Sequence, residues 1–185
     1  MIGVTGWPGL SLKGVCERAG LTERYFYQSF AGLSAFRTAL LNLVAEETEA
    51  AIVEAINTPA TTARETLRAV LDSVWRLLLD DPRRGRVAAM EGLDDLALQA
   101  RRTTIEARFE HILTTRSAEV FELDPTDPAT PVLAAYFVGA ADEVFRRLLT
   151  GQLTTAPTRC SELLITVFTH GVPEALERQS SPPTR

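Results

Sequence analysis

The chain has 185 residues, 45% of them hydrophobic and 23% charged, and a formal net charge of −5. That length accommodates one large or two small domains around a real apolar core. No apolar run is long enough to span a bilayer, and no charged-then-apolar leader ends in a small-residue cleavage site, so the expected location is the cytoplasm with no membrane partner. The two cysteines, Cys16 and Cys160, lie far apart and form no ligand motif. In a reducing compartment they are expected as free thiols, Cys16 on a core-facing helical position.

Residues 10–30 are the most informative stretch. Ser11 is a good N-cap, because its hydroxyl can accept from a free backbone N–H at a helix start. Leu12, Val15, Cys16 and Ala19 then recur at helical spacing. Gly20 suits a left-handed C-terminal turn. Leu21 is expected to plug the gap between two helices, and Thr22 to cap a second helix running to about Phe30. Phe26 and Phe30, four apart, share its inward face. Glu23, Arg24, Tyr25, Tyr27, Gln28 and Ser29 are left outside. Two short helices, a tight turn and a polar, aromatic outer face are the layout of a helix-turn-helix DNA reader, whose second helix meets base edges with its N-terminal residues.

Residues 21–30, followed by Ala31-Gly-Leu-Ser-Ala-Phe36 and a long helix, resemble the tetracycline-repressor (TetR) family of bacterial regulators. The resemblance covers about residues 2–45. It implies phosphate-contacting caps at Ser11 and Thr22 and a phosphate-holding hydroxyl at Tyr27. It places Lys13, Glu23, Arg24, Tyr25 and Gln28 at base-edge or variable contacts. Arg24 could fork onto a guanine, and Glu23 could accept from a cytosine amine. The sequence departs from the family pattern at Leu33, where a phosphate-binding Lys is usual, and at Ser29, where His is frequent. Both departures imply fewer phosphate contacts and a shallower salt dependence. The family's reader has three helices, the first ending before a Gly-aromatic pair. Gly6-Trp7 occupies that place, and residues 2–5 read as the last turn of that helix. Either the true start lies upstream of Met1 or the chain is a shortened relative; the first is the expectation.

Residues 1–45 carry Lys13, Arg18, Arg24 and Arg37 against Glu17 and Glu23, a local charge of +2 that leaves −7 on the remainder. A basic reader on an acidic body is compatible with DNA, because only the surface near the phosphates must attract them.

The rest of the chain reads as helices, with no strand-like alternation and no internal repeat. Residues 34–56 carry Phe36, Leu40, Leu43, Val44, Ile52 and Ile56 on one stripe. Residues 62–79 follow the same rule through Leu67, Val70, Leu71, Val74, Trp75 and Leu78, until Asp81-Pro82 breaks it. A short helix over 83–90 and a long one over 96–121 follow, then a Pro-rich loop. The last two helices, 131–153 and 157–176, have apolar faces too wide for one neighbour. They predict a homodimer through residues 131–176, formed as a four-helix bundle. The family's penultimate dimer helix resembles residues 134–153. Residues 179–185 are polar and Pro-rich, and are expected to be disordered.

The predicted fold is all-α: a helix-turn-helix domain over 1–45, a helical effector-binding and dimerisation domain over 46–178, and the tail. The resemblance implies a small-molecule cavity among the central helices. Its candidate lining is Trp75, Leu78, Met90, Phe109, Ile112 and Phe137, with Arg108 and His111 as polar contacts, suiting a hydrophobic effector. His111 and His170 are too few and too separated for a metal site, and no phosphate loop, nucleophile elbow or paired carboxylates are found, so neither cofactor nor enzymatic activity is expected. The expected function is a one-component transcriptional regulator, a repressor of a double-stranded operator relieved by its effector. The alternative is an all-α dimeric ligand-binding protein without DNA activity.

Overall fold

The computed structural model describes Trp7, residues 9–89 and residues 95–180, with side chains to His170. The described residues form nine helices and no strand: α1 Leu12–Ala19, α2 Glu23–Ser29, α3 Leu33–Asn57, α4 Ala63–Leu79, α5 Pro82–Ala89, α6 Leu96–Thr115, α7 Ser117–Val120, α8 Thr130–Leu149 and α9 Pro157–Ser180. They fall into two compact units, one comprising the chain to Ala51 with Val74–Arg108, the other Ile52–Ser73 with the chain from Phe109 onward. Residues 2–5, expected as the end of a helix, and Met90 lie outside the described residues, as do residues 181–185 of the tail.

The first unit opens with the expected helix pair. The Ser11 hydroxyl accepts from Gly14 N–H at 3.2 Å and caps α1. Gly20 ends α1 with φ 65°. Gly20 N–H bonds the Glu17 carbonyl at 3.3 Å and Leu21 N–H the Cys16 carbonyl at 2.9 Å. This pair of bonds is a Schellman turn, which satisfies carbonyls that the helix itself leaves free. The turn directs Leu21 outward, where it is 51% exposed. The expectation that Leu21 plugs the space between the helices is therefore corrected. The apolar interior is supplied by Phe26, whose ring lies 5.3 Å from Phe30 and 5.6 Å from Phe36 on α3. Trp7, Leu10, Cys16, Leu41, Val44, Trp75, Leu78, Val87, Leu98 and Ile105 are also buried in this unit.

In the second unit Ile52, Ile56, Leu67, Leu71, Leu113, Val120, Phe137, Phe145, Ile165 and Phe168 are buried. Phe168 packs against Phe121 at 4.9 Å and Phe137 at 5.2 Å. The helix expected over 96–121 breaks at Arg116. Thr114 and Thr115 turn their hydroxyls back onto the Glu110 and His111 carbonyls, as Thr103 and Thr104 do onto Gln99 and Ala100 in the same helix. Just beyond, the Ser117 hydroxyl donates to the Leu123 carbonyl at 2.9 Å and folds the chain into a turn. The last helix is longer than expected, reaching Ser180. Cys160 and Cys16 are both buried and free, and burial pushes the Cys160 thiol pKa up.

Gly20 has nothing within 4 Å of the position a Cβ would occupy, so its substitution costs backbone strain alone. Gly20→Ala is expected to destabilise the chain by about 1–2 kcal/mol, the cost of a left-handed non-glycine residue, measurable by urea denaturation. An unchanged midpoint would show that the turn is not held as described.

Candidate nucleic-acid interface

On α2, Phe26 is the only buried side chain. Thr22, Glu23, Arg24, Tyr25, Tyr27, Gln28 and Ser29 are all exposed, with Tyr25 at 58% and Tyr27 at 57%. A helix anchored by one residue and open on every other side presents a nearly complete polar and aromatic surface. Thr22 takes the extended N-cap conformation, with φ −83° and ψ 156°, but its hydroxyl makes no capping bond. The Thr22 carbonyl accepts instead, from Tyr25 and Phe26 N–H at 3.0 and 3.2 Å. Its hydroxyl therefore faces solvent as a free donor.

The cationic groups divide into two kinds. Arg64, Arg68, Arg83, Arg84, Arg108, Arg116, Arg146 and Arg147 each pair with a carboxylate. Arg18, Arg24 and Arg37 have no ion-pair or hydrogen-bond partner among the described residues, and the Nε of Arg37 is buried without an acceptor. All three belong to the first 45 residues, and their charge is uncompensated by neighbours. Arg76 on α4 and Arg159 on α9 are exposed and unpaired as well, and Arg101 bonds the Asn42 amide. Lys13, by contrast, is paired with Glu17 at 3.8 Å across one helical turn. Lys13, expected at a DNA contact, thus has a partner that its i, i+4 spacing already signals, whereas Arg18, named above only in the charge balance, is exposed and unpaired.

Of the expected effector contacts, Trp75 and Leu78 are buried in the first unit, at 3% and 5% exposure. Arg108, also in that unit, is bonded to Glu49. In the second unit Phe137 belongs to the ring cluster with Phe121 and Phe168, Phe109 and Ile112 are half-buried, and His111 is exposed. Met90 lies outside the described residues. No grouping of His, Cys, Asp and Glu that could hold a metal ion occurs among the described residues. None of their helices is long and apolar enough to cross a membrane.

α3 is tied by polar contacts within the first unit. Arg101 Nε donates to Asn42 Oδ1 at 2.6 Å, Arg84 Nε to Glu47 Oε2 at 2.7 Å, and Arg108 pairs with Glu49. Arg84 also reaches Asp81 at 3.3 Å, the residue that caps α5 by accepting from Arg83 N–H at 2.9 Å. On the same helix the Arg86 carbonyl accepts from Trp7 Nε1 at 3.0 Å. Hydrogen bonds from the Arg83 side chain and backbone, aided by the Arg84 charge, lower the Asp81 pKa from 3.8 to about 2. The same contact raises Arg83, and Glu47 raises Arg84.

These observations define an all-α protein with an N-terminal helix-turn-helix. No protein-family model matches the chain, and no curated protein matches it. Among solved structures it is similar to the fatty acid degradation regulator FadR from Bacillus halodurans, with a TM-score of 0.72 and 18% identity over 92% of this chain and 90% of that one. The likeness extends over nearly the whole of both chains and is one of fold.

Asp81 is held ionised below the ordinary carboxylate range, so its contribution to stability is complete above about pH 4 and is lost as the pH falls through about 2. Asp81→Asn keeps a capping side chain and removes only the charge. Thermal melts of the parent and this variant are expected to differ at neutral pH and to converge towards about pH 2. A gap that persists at the acid end would mean that the carboxylate charge is not the source of the difference.

Proposed function

We propose that the chain is a one-component transcriptional regulator of the TetR type, a cytoplasmic repressor whose α2 reads the major groove of a double-stranded operator. The observation that carries this reading is the surface of α2, where every side chain but Phe26 is open to solvent, beside three unpaired arginines. Phosphates need uncompensated cations, and base edges need donors and acceptors that the protein does not itself use. Ser11, Thr22 and Tyr27 take phosphate contacts in this reading, and Glu23, Arg24, Tyr25 and Gln28 take base edges. The sequence resemblance supports it independently. The solved neighbour is itself described as a regulator, of fatty acid degradation. An apolar effector fits that company, with Trp75 and Leu78 of the first unit as its first candidate contacts.

A second copy of the chain is assigned to α8 and α9, which pack against each other in the second unit. Val132 and Tyr136 lie one turn apart on α8, and Leu163 and Val167 one turn apart on α9, exposed by 66%, 54%, 48% and 56%. Exposed apolar pairs on two adjoining helices are the surface a two-fold dimer covers. A dimer would present two copies of α2 to successive major grooves of a pseudo-palindromic site. Leu163→Glu with Val167→Glu is expected to shift the sedimenting species to the monomer while leaving the circular dichroism unchanged. A parent protein that sediments as a monomer at micromolar concentration would remove the dimer from the account.

DNA binding is tested by selecting duplexes from a random-sequence pool with the purified chain. Arg24→Ala is expected to cost about 1–3 kcal/mol on the selected site and to relax preference at one base position. Tyr27→Phe is expected to weaken all duplexes alike. Glu17→Gln frees Lys13 and is expected to tighten binding while steepening its salt dependence. No enrichment from the pool, together with retained dimerisation and binding of apolar small molecules, would favour a ligand-binding protein without DNA activity.

A further inference from the structure

The contacts on α3 have a regular geometry. Asn42 with Arg101 and Glu49 with Arg108 have the same sequence separation of 59. A constant separation means that α3 and α6 run parallel and in register over these two helical turns, because an antiparallel pair would change its separation by twice each step. The third tie, Glu47 with Arg84, comes from α5. α5 in turn accepts the Trp7 indole on the Arg86 carbonyl. α5, eight residues long, is thus bonded to α3 through Arg84 and to the segment that leads into α1 through Arg86.

What α3 does, α2 must follow. The two helices are separated by three residues, and Phe36 on α3 packs against Phe26 and Phe30 at 5.6 and 5.1 Å. α3 also has two kinds of contact. Leu41, Val44, Ala45 and Thr48 are buried, and parting them would open a void. The ties to Arg84, Arg101 and Arg108 are part-exposed and polar. Water and ions can replace them group for group, so they open at less cost than the buried stripe, and once they are open α3 can pivot on that stripe.

We propose that Arg101, Arg108 and Arg84, closing on Asn42, Glu49 and Glu47, form a polar latch that fixes the orientation of the α2 reading face, and that opening it is the switch between reading and non-reading states. This rests on the reading of α2 as a DNA reader. The latch is the discrete element whose equilibrium an effector or an ionic change can bias. It also sets which way the reader fails: an open latch lets α2 sample several orientations, and a dimer then rarely matches both half-sites.

The test uses amide hydrogen exchange in the full chain without DNA. Glu49→Gln and Arg108→Gln are each expected to accelerate exchange over residues 23–45 severalfold and to leave α8 unchanged. The exchanged pair Glu49→Arg with Arg108→Glu is expected to return exchange to the parent rate. On a duplex selected from the random pool, each single variant is expected to lose about three- to tenfold in affinity, and the exchanged pair to recover it. Unaltered exchange in both single variants overturns the latch, as does an exchanged pair whose losses equal the sum of the two. Should neither single variant fold, rising salt decides on the parent protein. Exchange over residues 23–45 then accelerates as the pairs are screened, or the latch is refuted. A parent chain that binds no duplex refutes the DNA reading, while the exchange results still decide the latch.

Discussion

Phe26 holds α2 in place. α2 has seven residues, a length at which a helix in water does not persist on its own nucleation and propagation. Its order is borrowed from one ring packed against Phe30 and Phe36. That economy explains the composition of the segment. With a single anchor, the other side chains owe nothing to the core and are free to be polar or aromatic on the outside. It also makes the geometry of α3 decisive, since Phe36 is the part of the anchor that lies beyond the reader. An aromatic cluster and a left-handed glycine turn are the two features without which the exposed face would have no fixed shape.

The electrostatics follow the same division. Elsewhere many guanidinium groups are matched with carboxylates, as in Arg64 and Arg68 on Glu162 or Arg146 and Arg147 on Glu143, while Arg76 and Arg159 stand exposed without a partner among the described residues. Such part-exposed pairs add little to stability, but they keep the surface of an acidic chain locally neutral. Arg18 on α1, Arg24 on α2 and Arg37 on α3 are likewise unmatched, three cations within the first 45 residues. A net charge of −5 and a surface suited to phosphates are therefore compatible, because the excess acid lies elsewhere in the chain. The lone lysine is the exception, muted by Glu17.

Much of this was legible in the residues. Ser11, Gly20 and Phe26 each carry a strong local signal, for a cap, a left-handed turn and a helical apolar position, and the structure places them in those roles. The all-helical fold followed from periodicity. Leu21 misled because apolarity predicts burial, whereas the two bonds of the Schellman turn decide where its side chain goes. The break at Arg116 was hidden because it depends on Ser117 finding the Leu123 carbonyl, a contact made only once the loop is folded. The register of Asn42 and Glu49 against Arg101 and Arg108 is a tertiary fact and has no sequence-local signature. The wide apolar faces of the last two helices were visible in advance. Which residues stay uncovered, Val132, Tyr136, Leu163 and Val167, needed the packing of Phe137, Ile165 and Phe168 to be known.

The central claim is that the outer face of α2 enters a groove of duplex DNA. The most direct measurement is a map of backbone amide chemical shifts as a selected duplex is added to the isotopically labelled chain. The account predicts the largest changes at Ser11 and across Thr22, Glu23, Arg24, Tyr25, Tyr27 and Gln28, with α8 and α9 unmoved. Saturable binding with those residues silent and the changes centred on another surface would contradict it.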